Sequence, residues 1–148
     1  MATVSYEIEI AAPAEKIWQV LWNQNSYTQW TRFFANEDSH YKSDWKVGGK
    51  TLFLDSSGNN GMVSTIDSLK EPYEVVFQHL GMLVNGEEIF NTKELAEWSG
   101  AQEKYFLEEF EGYTKLSGEV HVSGEFENQM LEGFEKGFAI VKELAERT

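Results

Sequence analysis

The run from Phe126 to Arg147 is the longest stretch of this chain with an unbroken helical period, and it limits the folds open to the rest. Phe126, Met130, Phe134, Val141 and Leu144 recur at steps of three, four or seven, with Leu131, Phe138 and Ala145 widening the stripe. Glu127, Glu132, Glu135, Lys142, Glu143 and Arg147 fall mostly elsewhere on the helix. A stripe so rich in aromatic and flexible side chains must be buried against another layer. Gly133 and Gly137 sit inside it one turn apart. Each costs roughly 1 kcal/mol relative to Ala, so the missing side chains are expected to leave volume at a cavity wall, or to let the helix bend or approach a sheet.

That other layer reads as β. Val4, Tyr6, Ile8 and Ile10 alternate with Thr3, Ser5, Glu7 and Glu9, a half-buried first strand. Pro13 suits the first position of a helix, with Glu15 in its first turn, and Ala14, Ile17, Trp18 and Leu21 form its buried stripe. Asn23 to Asn25 interrupt the period, and Tyr27, Trp30, Phe33 and Phe34 suggest a second short helix turning back under the sheet. From Tyr41 onward the period is that of strands: 41–45, 50–55, 62–69, 73–84, 104–110 and 114–122, punctuated by Gly48-Gly49, the turn Ser56 to Gly61, Glu71-Pro72 and Glu111-Gly112. Gly86 to Gly100 is the one irregular stretch. Asn91 with Glu94 fits a capping box and Leu95 with Trp98 one apolar edge, giving either a short helix or lid, or a plain surface excursion. The expected class is α+β: a curved antiparallel sheet of about seven strands gripping the long terminal helix, with two short helices after strand one. No linker or repeat divides residues 1–148, so one domain is expected.

Composition excludes several functions. There is no cysteine, hence no thiolate nucleophile and no Cys-type metal centre. His40, His79 and His121 have no metal-ligand spacing, and no GxSxG, GxxxxGK[ST] or GxGxxG occurs, so neither a metal nor a cofactor is implied. A formal charge of −13 repels phosphate backbones and makes nucleic acid a poor partner. Residues 86–112 hold eight Glu against Lys93 and Lys104, a surface that would suit a basic protein partner if it is more than a solubilising face. No apolar run spans a membrane and the start MATVSYEIEI has no signal-peptide pattern, so a cytoplasmic protein is expected.

Ala12 to Trp18 (APAEKIW), Trp30, Trp45-Lys46-Val47-Gly48-Gly49 and Gly133-Phe134, in this order and spacing, resemble the START-like, helix-grip superfamily (SRPBCC). Within it they resemble the branch related to the C-terminal domain of the heat-shock-protein-90 ATPase activator. The superfamily includes lipid and steroid carriers, hormone receptors, polyketide cyclases and co-chaperone domains, so the resemblance implies a fold before a function. It implies a cavity between sheet and terminal helix that holds a small apolar or aromatic molecule. A co-chaperone-like interaction role is the alternative, and a cyclase or dehydratase-like enzyme using His79 or Tyr41 a third.

The candidate pocket residues are Tyr41, Trp45, Phe53, Phe77, His79, Met82, Met130, Phe134, Phe138 and Val141. Each aromatic or Met alone is more safely read as core; together they line the expected gap, where methionine suits an adaptable binding wall. His79 lies among Val75, Val76, Phe77, Leu80 and Met82, where the strand's phase is ambiguous. Its imidazole either faces the cavity, to orient a ligand or act as a base, or is satisfied at the sheet surface.

Overall fold

The computed structural model describes residues 2–34, 37–90, 92–93 and 99–147. In chain order the elements are β1 (Ala2–Ile10), α1 (Ala14–Trp22), α2 (Gln24–Thr31), β2 (His40–Ser43), β3 (Lys50–Leu54), β4 (Gly61–Lys70), β5 (Glu74–Val84), β6 (Glu87–Ile89), β7 (Gln102–Phe110) and β8 (Tyr113–Val122). A 3-10 turn at Gly124–Phe126 leads into the terminal helix α3 (Glu127–Glu146). All strand pairs are antiparallel, in the order β1-β8-β7-β5-β4-β3-β2, with β6 paired to β5. Register shifts between Val63 and Ser64 and between Ile66 and Ser68 act as bulges, which bend and twist the sheet where it must curl around α3.

The two short helices are set by one residue. Asn23 leaves the helical region at φ −66°, ψ 134° and so ends α1, its amide donating to the Gln19 carbonyl at 2.8 Å. Its side chain then accepts from the Asn25 amide at 3.1 Å and caps α2. The corner is locked by Trp30 Nε1, which donates to the Leu21 carbonyl at 3.0 Å. Ala14, Ile17, Trp18, Leu21 and Trp22 form the buried face of α1.

Helix α3 lies mainly on β1 and α2. Phe134, Phe138 and Val141 are completely buried. Gly118 of β8 makes room for two of them: a Cβ there would stand 2.6 Å from Phe134 Cε1 and 2.8 Å from Phe138 Cζ. At its far end, Glu146 accepts from the Ala11 amide at 2.9 Å and Lys142 donates to the Glu9 carbonyl at 2.8 Å, pinning α3 to the β1–α1 corner. Among the described residues no helix is long and apolar enough to cross a membrane.

The curved antiparallel sheet has eight strands, the additional one being β6, which Asn85 and Gly86, both at positive φ (49° and 82°), reach by a two-residue hairpin turn within the stretch read as irregular. Three expectations need correction. Phe126 and Leu131 are exposed (45% and 43%), so the buried stripe starts at Met130 and Phe134. Gly133 and Gly137 face α2 and the turn after it, not the sheet: added Cβ atoms would meet the Phe34 ring at 2.6 Å and the Trp30 carbonyl oxygen at 2.5 Å. Strand β2 stops at Ser43, because Trp45 takes φ 54° in a loop wound around Asp44. That carboxylate accepts from the amides of Lys46 (3.1 Å) and Lys50 (3.2 Å) and occupies the space a side chain at Gly49 would need. The proposed capping pair Asn91 and Glu94, and the edge Leu95 and Trp98, lie outside the described residues.

Candidate functional site

Where the ends of β3, β4, β5 and β7 curl toward α2 and the first turns of α3, a pocket of about 400 Å³ remains. Tyr27, Trp30 and Phe34 form its helical side, Phe53, Met62 and Met82 its strand side, and Met130 reaches in from α3. Tyr105 and Val120 continue the wall across β7 and β8. Leu54, Leu83 and Val84 add to it, as do the polar Thr31, Ser39, Asp55, Asn60 and Glu103 with Gly61.

Glu103 is the sheltered acid of this wall, its side chain 15% exposed. It faces inward because β7 alternates, with Tyr105 and Leu107 in the same phase and both buried. One carboxylate oxygen accepts from the Tyr105 hydroxyl at 2.5 Å and the other lies 3.5 Å from His79 Nε2. His79 Nδ1 is 2.6 Å from Ser64 Oγ, its direct cross-strand neighbour. A buried polar line therefore runs Ser64, His79, Glu103, Tyr105 across three strands, and Glu103 and Tyr105 are the members on the pocket wall. Burial first, and the Glu103 charge second, push the hydroxyls of Tyr105 and Tyr27 well above the usual tyrosine range. Both stay protonated and can only donate or accept hydrogen bonds.

Of the ten residues singled out from the sequence, Phe53, Met82 and Met130 line the pocket. Phe77 packs edge-on against Phe53 at 5.0 Å between ring centroids, and Phe134 against Phe34 at 5.2 Å, so both back the wall. Phe138 touches Trp30 and Tyr105 from behind, and Val141 lies deeper along α3. Tyr41 and Trp45 do not line the pocket but belong to an aromatic cluster that shares Tyr27, Trp30 and Tyr105 with the pocket wall. The centre of this cluster is Trp22, whose ring lies 5.2–6.3 Å from those of Trp18, Tyr27, Trp30, Tyr41, Trp45, Phe77 and Tyr105. The Tyr41 hydroxyl is spent on the Trp22 carbonyl, and burial pushes it up to about 12. His79 is buried on the inner side, bonded rather than lining the pocket.

Tyr27, Trp30, Phe34, Glu103, Tyr105 and Val120 were not among those ten. The spacing of Tyr27, Trp30 and Phe34 by three and four carried the helical part of that signal. Glu103 escaped because a strand begun at Lys104 leaves it outside the alternation; β7 begins at Gln102.

Residues 11–145 match the family model described as "Activator of Hsp90 ATPase homolog 1-like protein". The chain belongs to this family. Structures similar to this member of the activator-homologue family share its helix-grip fold. One is the solution structure of the Aha1 dimer from Colwellia psychrerythraea, 21% identical with a TM-score of 0.69, covering 99% of this chain and 97% of that one. Protein MLL2253 from Mesorhizobium loti is 15% identical with a TM-score of 0.73, covering 99% and 98%. DynU16, a protein of the dynemicin biosynthetic locus, is 15% identical with a TM-score of 0.67; 99% of this chain aligns with 49% of that one, about half its length. At these identities the likeness establishes the fold alone. No curated protein sequence matches.

Proposed function

We propose that this activator-homologue family member is a binding module that takes a small apolar or aromatic molecule into the pocket between the curled sheet, α2 and α3. The observation that carries this reading is a volume of about 400 Å³ walled by Tyr27, Trp30, Phe34, Phe53, Tyr105 and three methionines, the size and character of a small-molecule site. Phe53, Met82 and Met130 make the contacts. Phe77, Phe134, Phe138 and Val141 hold those side chains in place from behind, Tyr41 and Trp45 fix the α1–α2 corner, and His79 orients Glu103.

A flat ligand burying about 150–250 Å² of apolar surface at about 25 cal/mol per Å² gains about 4–6 kcal/mol. With the cost of association set against that gain, a Kd no tighter than about tens of micromolar is expected. Native mass spectrometry of freshly purified protein tests the reading, followed by a titration panel of sterols, fatty acids and aromatic compounds. A retained small molecule or saturable binding is expected; an empty protein that binds no member of the panel overturns it.

Family membership favours one second reading, a protein-interaction role with a chaperone ATPase of the kind the family description names. The described acids of residues 86–112 do not make one face for it. Glu103 points inward, Glu87 and Glu88 pair near the end of β5, and Glu108, Glu109 and Glu111 lie beyond its start. Two separate acidic patches are therefore available. Calorimetry with an Hsp90-type chaperone at low and high salt tests it: salt-sensitive binding is expected, and none at low salt disposes of it.

A further inference from the structure

We propose that the ligand of this pocket carries a basic nitrogen, its ammonium set against Glu103 and its apolar body against the aromatic wall. This rests on the pocket reading above and names the chemical class that reading leaves open.

Among the described residues the wall has acids and no bases. Its charged members among them are Glu103 and Asp55, and no described Lys, Arg or His lines it. A fatty acid or other carboxylate would enter beside a sheltered negative charge with no cation to receive it, and burying an unpaired charge is heavily penalised. Glu103 also specifies what it needs. An ionised carboxylate is acceptor-only, with about four lone-pair sites. Tyr105 donates to one oxygen at 2.5 Å and His79 Nε2 lies 3.5 Å from the other, leaving acceptor capacity that only a donor can use.

The ring faces point the same way. Tyr27, Trp30, Phe34, Phe53 and Tyr105 line one pocket, and aromatic faces attract an ammonium most strongly where it is desolvated. Burial of Glu103 against Tyr105 and His79 fixes the anion in place before the ligand arrives, so little side-chain ordering remains to oppose binding. A formal net charge of −13 further raises the local concentration of cations over anions.

Three indole probes that differ in the charge of the side-chain head group separate this proposal from the one it rests on: tryptamine, the neutral alcohol tryptophol, and indole-3-propionate. Binding is read by calorimetry and by the methyl NMR signals of Met62, Met82 and Met130. Tryptamine is expected to bind at least about tenfold tighter than tryptophol, a ratio within reach of one hydrogen bond to a charged group, and indole-3-propionate weakest. Glu103→Gln is expected to erase the preference for amine over alcohol, whereas Asp55→Asn keeps most of it. The ranking on the native protein stands even if Glu103→Gln does not fold. Equal binding of amine and alcohol, or tightest binding of the carboxylate, overturns the amine proposal alone. Loss of the preference in Asp55→Asn with its retention in Glu103→Gln overturns the role of Glu103. No binding of any probe overturns the pocket reading and the amine proposal with it.

Discussion

Replacing Gly137 by Ala is expected to destabilise the protein, against the trend for helix interiors. On propensity alone the change should stabilise α3 by about 0.8–1.0 kcal/mol. The new Cβ, however, would stand 2.5 Å from the Trp30 carbonyl oxygen, a backbone atom of α2 that cannot rotate away. Normal C···O contacts are about 3.3 Å or longer, so α2 and α3 must part by most of an ångström. That would loosen the packing of Trp30 and Phe34 against the helix. Overpacking of this kind costs about 1–3 kcal/mol, and a backbone clash belongs in the upper part of that range. The net loss is about 1–2 kcal/mol, or about 3–6 °C in Tm for a chain of this size. Gly133→Ala is the internal control. Its Cβ would meet the Phe34 ring at 2.6 Å, a side chain and not a backbone atom, so its loss is expected to be the smaller of the two. Urea unfolding of both variants beside the native protein reads the order. Stabilisation of Gly137→Ala by about 1 kcal/mol would refute the close α2–α3 contact and, with it, the helical side of the pocket.

Other outcomes follow from the same geometry. Burial raises the hydroxyls of Tyr27, Tyr41 and Tyr105, Tyr41 to about 12 against 10.0 unfolded. A folded state that holds its protons more tightly keeps this stability in full below pH 10 and loses it as pH rises through 12. The tyrosinate absorbance of these three buried rings should therefore appear together with unfolding in that window, and its appearance without unfolding would contradict the burial argument. Gly86→Ala forces a side chain onto φ 82° and should lower stability by about 1–2 kcal/mol, with faster amide exchange in β6; unchanged exchange would show that the hairpin does not need the turn. Phe53→Ala removes a buried wall ring and should lower stability by about 3–5 kcal/mol and abolish probe binding, which calorimetry at a temperature where the variant is folded would show.

The parts of this fold legible in the sequence are those where a period coincides with a burial direction. Strands β1 and β8 alternate as their residues predict, with Thr114, Leu116 and Val120 buried, and the terminal helix buries its predicted stripe from Met130 onward. What was not legible depends on partners distant in sequence. Gly133 and Gly137 signal a close approach but not to what, and only the packed structure shows α2 there. The candidate site divides the same way. Phe53, Met82 and Met130 are on the wall, but periodicity cannot separate a wall residue from one packed behind it, such as Phe134 or Phe138. Asn85-Gly86 and Glu103 are different, since local signals existed for both. An Asn-Gly pair marks a two-residue hairpin, and one more residue at the start of β7 would have brought Glu103 into phase.

The central claim is that the space between sheet, α2 and α3 receives a small molecule. Three of the four methionines, Met62, Met82 and Met130, line it. Labelling the methionine methyl carbons and titrating with tryptophol, which is neutral and so independent of the amine proposal, tests the claim most directly. Saturable shifts of all three wall methyl signals at a common Kd are predicted. Methyl signals that stay fixed while the probe reaches millimolar concentration, or shifts confined to signals outside the pocket, would contradict it.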